Sequence, residues 1–324
     1  ILMGSLAAWL LDRAGGYAVF HRLTGWTGAP VVFLGLVLVL FQMTPRDVNG
    51  WPNLAIHGAM TLALVSLVIG VSSYLEDKTF GAAPTIAGIV ISIFMIYRWF
   101  AGVINESESG LYGAQVDRTY RWSMAWFIFS EVMFFAAFFG ALYYARELSL
   151  PWLAGAGEKI ETNVQLWSGF EAVWPSNGPA NLGGAFETIP AFDVPLVNTL
   201  LLLTSGVTLT FAHHALKEQH RTSSILWMWA TVALGCLFLF FQVEEYMHAY
   251  GDLNLTMESG IYGSTFFMLT GFHGMHVTLG TLMLFVITLR IMKGHFKPES
   301  HFGFEAVAWY WHFVDVVWLF LFAA

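Results

Sequence analysis

One carboxylate in the middle of an apolar run is the first place where chemistry can be read. Glu131 lies inside Trp122–Tyr144, WSMAWFIFSEVMFFAAFFGALYY. At about 1.5 Å per residue this stretch makes a helix roughly 34 Å long, enough to cross a hydrocarbon core of about 30 Å. An ionised group at that depth costs at least ~2.5–3.5 kcal/mol, so the acid is expected to face protein and to carry a function. Phe127, Phe134, Phe135 and Phe138 share its helical face, at i−4, i+3, i+4 and i+7. No base is near it in sequence, so any partner must come from another helix. Two roles fit: a proton- or lipid-linked acid, and a hydrogen-bonded packing group.

The histidines are the metal suspects. His273 and His276, in GFHGMH, share a face at i and i+3, and His312 could meet them from the next segment. His213 and His214 are adjacent, and their side chains diverge by about 100°. Haem or copper would need ligands enclosed by the bundle, and no repeated HxxHH run of the di-iron kind occurs. Gly271 and Gly274 are expected to permit close helix approach. His213, His273 and His276 are therefore read as structural polar groups, with no metal. Glu305, His312 and Asp315 fall in GFEAVAWYWHFVDVVWLFLF, where i,i+3 spacing puts His312 beside Asp315. That is a static pair or a proton relay, and the static pair is expected. Arg290 fits a lipid headgroup contact or a snorkelling cation. Glu244 and Glu245 read as a solvated helix end, or as part of an acidic surface for a basic soluble partner.

The elements that position these residues follow from apolar length. The chain has 324 residues, 57% hydrophobic and 11% charged, where a soluble domain carries about 25% charged. It is an all-α polytopic membrane protein, with expected spans near Pro52–Leu75, Ala82–Ile104, Trp122–Tyr144, Val194–His213, Ile225–Met247, Tyr262–Met292 and Ala306–Phe322. Trp26–Met43 is long enough for an additional minimal span or an interfacial helix, and residues 1–50 make a poor signal peptide. A single cysteine, Cys236, excludes an internal disulfide, and a net charge of −8 argues against nucleic acid. Alternate loops carry Arg118, Arg121, Lys217, Arg221, Arg290, Lys293 and Lys297, which places them inside. The opposite loops are acidic, and the connection 145–193 is expected outside.

FSEVMFFAAFFGALYY, PLVNTLLLLTSGVTLTFAHHAL, IYGSTFFMLTGFHGMHVTLG and HFGFEAVAWYWHFVDVVWLFLF make the chain, from about Trp51 to its end, resemble subunit III of haem–copper cytochrome c oxidase. The resemblance implies seven transmembrane helices: a two-helix bundle (51–106) leaning from a five-helix bundle (107–324) to form a V-shaped cleft that holds phospholipids. It also implies no haem or copper in this chain, since those belong to partner subunits I and II. Glu131 matches the family's buried, carbodiimide-reactive glutamate, associated with sustained proton uptake. Arg290 matches a lipid-contacting arginine. Where the family often has a basic residue after the second helix this chain has Asn105, and Arg98, beside Trp99, is the residue placed to substitute. The implied role is a non-redox core subunit of a proton-pumping oxidase that takes electrons from cytochrome c to oxygen. Its expected partners are subunit I directly, subunit II, small accessory subunits and membrane lipid, in a bacterial plasma membrane or alternatively a mitochondrial inner membrane. The alternatives are subunit III of a quinol oxidase, or a stand-alone transporter using Glu131 and Asp315, against which no paired Gly/Pro-broken helices appear.

Overall fold

The computed structural model describes residues 50–75, 81–181 and 183–324, and their regular structure is helical. The reading of Trp26–Met43 lies outside the described residues. In chain order the helices are α1 (Gly50–Leu75), α2 (Ala82–Glu108), α3 (Ala114–Tyr143), α4 (Ile160–Leu166), α5 (Val194–Lys217), α6 (Arg221–Gly251), α7 (Gly260–Lys293) and α8 (Phe302–Ala323). Six of them are long and apolar enough to cross a membrane: α2, α3 with its extension, and α5 to α8. The apolar part of α1, Gly58–Tyr74, is shorter. Helices are the expected solution, because backbone polar groups in hydrocarbon must be satisfied within the segment.

The helix ends overrun the expected spans. α3 begins at Ala114, with a polar stretch ahead of Trp122 in which Arg121 Nε donates to Asp117 Oδ2 at 2.9 Å and Arg118 donates to Gln115 at 2.7 Å. Beyond Tyr143 it continues through a wide π turn, Tyr144–Ser149, into Leu150–Leu153. The connection 145–193 is thus partly helical, and it is anchored rather than loose. Asn254 Nδ2 donates to the Gly183 and Ala185 carbonyls at 3.1 and 2.8 Å, and the Tyr262 amide donates to the Ser176 carbonyl at 3.1 Å. Phe186 and Ile189 pack with Leu255 and Phe267 in a small apolar cluster. At the other end of α7, Gly294 adopts φ +79°, which ends the helix, while Arg221 caps the Ile291 and Met292 carbonyls.

Two compact units divide the chain after Leu111. In the first, α1 and α2 run antiparallel and pack backbone to backbone. A Cβ on Gly70 would lie 2.4 Å from the Thr85 nitrogen, and one on Gly88 would lie 2.8 Å from the Leu67 nitrogen.

In the second unit α7 and α8 are central: 44% of each apolar window is buried, against 6% for α3. Trp311, Phe238, Leu202, Leu284 and Val314 form the middle of its core. Polar pins cross the helix pairs. Trp311 Nε1 donates to Ser205 Oγ at 2.8 Å, Trp318 Nε1 to Thr199 Oγ1 at 2.9 Å, and Thr208 meets Thr231 at 2.8 Å. Such bonds are worth about 0.6 kcal/mol each on average in a bilayer. Leu200, Leu226, Phe240 and Leu282 point outward, as a lipid-facing surface requires.

Candidate functional site: a buried carboxylate–imidazole pair

The partner that Glu131 lacks in sequence comes from α7. His276 Nε2 lies 3.0 Å from Glu131 Oε2, with the two side chains 6% and 23% exposed. The other ring nitrogen, Nδ1, lies 2.6 Å from the Phe272 carbonyl, one turn back on the same helix. A carbonyl only accepts, so Nδ1 carries a proton and donates it. One proton then occupies the bond between Nε2 and Oε2. Resting on oxygen it leaves a neutral acid and a neutral imidazole; resting on nitrogen it leaves a carboxylate and an imidazolium. Either way the pair is neutral as a whole, which is how α3 accommodates an acid at mid-helix. The enclosure is aromatic: Phe135 meets the His276 ring edge-on at 5.1 Å, and Tyr310 stacks on it at 6.2 Å. Phe134 meets Phe138 and Phe272 edge-on at 5.0 Å each, and Phe138 meets Phe272 at a tilt at 5.2 Å. Chemically the pair can hold a proton, move it between oxygen and nitrogen, or bind a polar group through the partly exposed carboxylate.

A second cluster gathers where α3, α5 and α8 meet. Arg121 is ion-paired and hydrogen-bonded to Glu305 Oε2, and its side of the pair is 36% exposed. The other oxygen, Oε1, lies 3.2 Å from His301 Nε2, which is 3.1 Å from His213 Nε2. His301 Nδ1 donates to the Lys297 carbonyl at 3.2 Å. The ligand atoms of His213, His301 and Glu305 lie within 4.8 Å of one another, a spacing that a divalent cation can use. Arg121 already gives Glu305 a cationic partner.

The remaining sequence candidates take separate partners. His273 is fully buried and donates from Nε2 to the Val314 carbonyl at 3.2 Å, between Phe238 and Trp318. It does not converge with His276 and His312. His312 Nδ1 lies 3.4 Å from Asp315 Oδ2 at the expected i,i+3 spacing, with His312 45% exposed and Asp315 buried. Glu305 stands apart from that pair, drawn instead to Arg121. Arg290 places its guanidinium 4.4 Å over the Phe296 ring. Arg98 and Trp99 are exposed on α2, and Trp99 packs at 5.6 Å on Phe100.

Two expectations are corrected. Glu245 is not part of a solvated helix end: it is 5% exposed, while its neighbour Glu244 faces out. Adjacent residues on a helix diverge by about 100°, so one turns inward as the other turns out. The glycines beside His273 are the second. Among the described residues, a Cβ on Gly274 would meet nothing within 4 Å and one on Gly271 only the Tyr246 hydroxyl at 3.6 Å, so neither mediates close approach there. That role falls to Gly206, Gly235 and Gly280, which face Asp315 and Trp311. Sequence reading counted Arg121 only among the basic loop residues and passed over His301. The ESHFGFE run does place His301 four residues before Glu305, a spacing that shares a helix face.

The family model for "Cytochrome c oxidase subunit III" matches residues 47–157 and 166–324. A cytochrome c oxidase subunit 3 from Hippopotamus amphibius is 39% identical over 275 residues, covering 85% of this chain and 92% of that protein. One from Drosophila melanogaster is 39% identical over 277 residues, with 85% and 92% covered. One from Dugong dugon is 41% identical over 238 residues, with 73% and 80% covered. A match of this length and identity, on a helical chain with six apolar spans, means that the chain belongs to the cytochrome c oxidase subunit III family.

Proposed function

We propose that this chain is the non-redox core subunit of a proton-pumping cytochrome c oxidase, a multi-pass protein of an inner membrane. The complex transfers electrons from cytochrome c to oxygen, with haem and copper held by its partner subunits I and II. This chain packs directly on subunit I and supports proton uptake through Glu131. Arg290, Arg98 and Trp99 contact phospholipid, the arginines at headgroups and the indole along acyl chains.

The observation that carries the proton-linked role is the Glu131–His276 pair. It sits mid-span among aromatic rings, with the Phe272 carbonyl holding the His276 Nδ1 proton and so turning Nε2 to the carboxyl group. A pair that shares a single proton is neutral at rest, and it carries a net charge only while it has gained or released one. His273, His312 and the Arg121 cluster have structural parts in this reading, fixing helix register.

The test is Glu131→Gln in the assembled oxidase. Haem spectra remain those of the parent complex, while proton-uptake kinetics or the rate of inactivation during turnover changes. Loss of haem, or unchanged proton uptake together with unchanged inactivation, removes the proposed role.

A further inference from the structure

The acidic end of the second unit holds a polar group of residues that the Glu131 pair leaves unused. Asn198 on α5 is 0% exposed, and Gln242 and Glu245 on α6 are each 5% exposed. Among the described residues, both amide atoms of Asn198, both of Gln242, and Oε2 of Glu245 are buried and find no partner in good hydrogen-bond geometry. Helix register brings the three together. α5 and α6 run antiparallel, pinned by Thr208 against Thr231 at 2.8 Å and by Ser224 Oγ donating to the Ala212 carbonyl at 3.0 Å. Continuing that register about three turns along both helices sets Asn198 opposite Gln242. Glu245 is the next turn on, within side-chain hydrogen-bonding reach of Gln242, and the charge of Asp193, just ahead of α5, reaches it.

The donors and acceptors decide what fits between them. Each amide brings N–H donors as well as a carbonyl oxygen, and Glu245 brings an acceptor or an O–H. A cation would serve the oxygens and leave the amide N–H groups without acceptors. Water both donates and accepts, and buried water commonly makes about three bonds to groups of this kind. We infer that Asn198, Gln242 and Glu245 hold internal water between α5 and α6, and that Glu245 exchanges a proton through it with the aqueous phase at the acidic end.

In that exchange the carboxyl O–H bond of Glu245 breaks, water takes the proton as hydronium, and it leaves past Asp193; the carboxylate remains until the reverse step. No electron moves. Several titratable groups face this region. Asp193 comes from the start of α5. Tyr246 and Tyr250 come from α6, with the Tyr246 hydroxyl bonded to Thr270 at 2.6 Å. From α7, His273 packs on Trp318 at 5.0 Å, and its Nδ1 is a further buried atom without a partner among the described residues. From α8, Trp318 bonds to Thr199, beside Asn198, and Asp315 lies about a turn inward of it. None of the Glu131 machinery takes part, so the inference stands apart from the role proposed for that residue.

Infrared spectroscopy of the purified oxidase, titrated in H2O and in D2O, tests it. The expected result is a protonated-carboxyl C=O band that titrates with external pH, shifts down on exchange into D2O, is lost in Glu245→Gln and persists in Glu131→Gln. A band that ignores D2O, or no band lost in Glu245→Gln, overturns the inference. High-resolution electron cryomicroscopy of the unsubstituted complex gives an answer that does not depend on the variant assembling. Solvent density between Asn198 and Gln242 supports it; direct amide–amide contact or a coordinated cation there overturns it.

Discussion

Glu131 on α3 and His276 on α7 meet at 3.0 Å, and the Phe272 carbonyl, 2.6 Å from the opposite ring nitrogen, holds the Nδ1 proton and turns Nε2 to the carboxyl group. Neither residue is stable alone in this setting. Without His276 the acid would be left among Phe134, Phe135 and Phe138 with no base. Without Glu131 the Nε2 atom would lose its only partner among the described residues.

The two side chains should therefore behave as a unit. His276→Leu is expected to destabilise the subunit by about 1–3 kcal/mol, because it strands a buried carboxyl. Glu131→Gln retains a donor for Nε2 and costs less. In a double-mutant cycle the pair should show a coupling of about 0.5–3 kcal/mol. Thermal release of the subunit from the purified complex measures all four corners; additive losses would mean that the contact carries no energy.

Parts of this arrangement were legible in the sequence because they need no tertiary partner. Apolar length alone marks the spans, and a single acid in such a run marks Glu131. The identity of its partner was not legible. His276 is 145 residues away, and the GFHGMH run shows which face it occupies without showing which helix that face meets. Glu244 and Glu245 illustrate the same limit, since both belong to one helix end and only packing decides which turns inward. The start of α3 was hidden for a different reason: Asp117 and Arg121 extend the helix by an i,i+4 pair that hydropathy does not register.

Gly206 and Gly274 make a matched test of where small residues matter. A Cβ at Gly206 would lie 2.6 Å from Asp315 Oδ2, whereas one at Gly274 meets nothing within 4 Å among the described residues. Gly206→Ala is expected to cost about 1–3 kcal/mol by overpacking, and Gly274→Ala to stay within about 0.5 kcal/mol of the parent. Adding Asp315→Ala should relieve Gly206→Ala by vacating the contested space. Thermal stability of these three variants and of Asp315→Ala alone reads this directly, and equal losses at the two glycines would contradict the packing described.

Arg121 ties α3 to α8 through Glu305 while staying about one-third exposed. Solvent screening keeps its contribution modest, at about 1–2 kcal/mol, between an exposed ion pair and a charge-assisted bond. Arg121→Ala should weaken subunit retention, with the deficit shrinking as salt screens the parent interaction, and Arg121→Lys should restore part of it. Retention measured across ionic strength separates this from a packing loss, which salt would leave unchanged.

Trp311 offers the sharpest packing prediction, because one side chain on α8 touches three other helices. Its Nε1 donates to Ser205 on α5, and its six-membered ring edge fills the space that a Cβ would need at Gly280, 2.7 Å away, and at Gly235, 2.9 Å away. Trp311→Ala should cost about 3–5 kcal/mol from lost burial and the cavity left behind. Trp311→Phe keeps a ring but removes the indole donor to Ser205, whose hydroxyl still donates to the Leu202 carbonyl, and opens space beside Gly280, for a smaller loss of about 1–3 kcal/mol. Gly280→Ala alone should overpack the same contact. Combined with Trp311→Phe its penalty should fall, since the methyl enters volume that the indole has left. Stability of the single and double variants checks this, and a double variant as unstable as the sum of its parts would show that the indole and the glycines do not share one space.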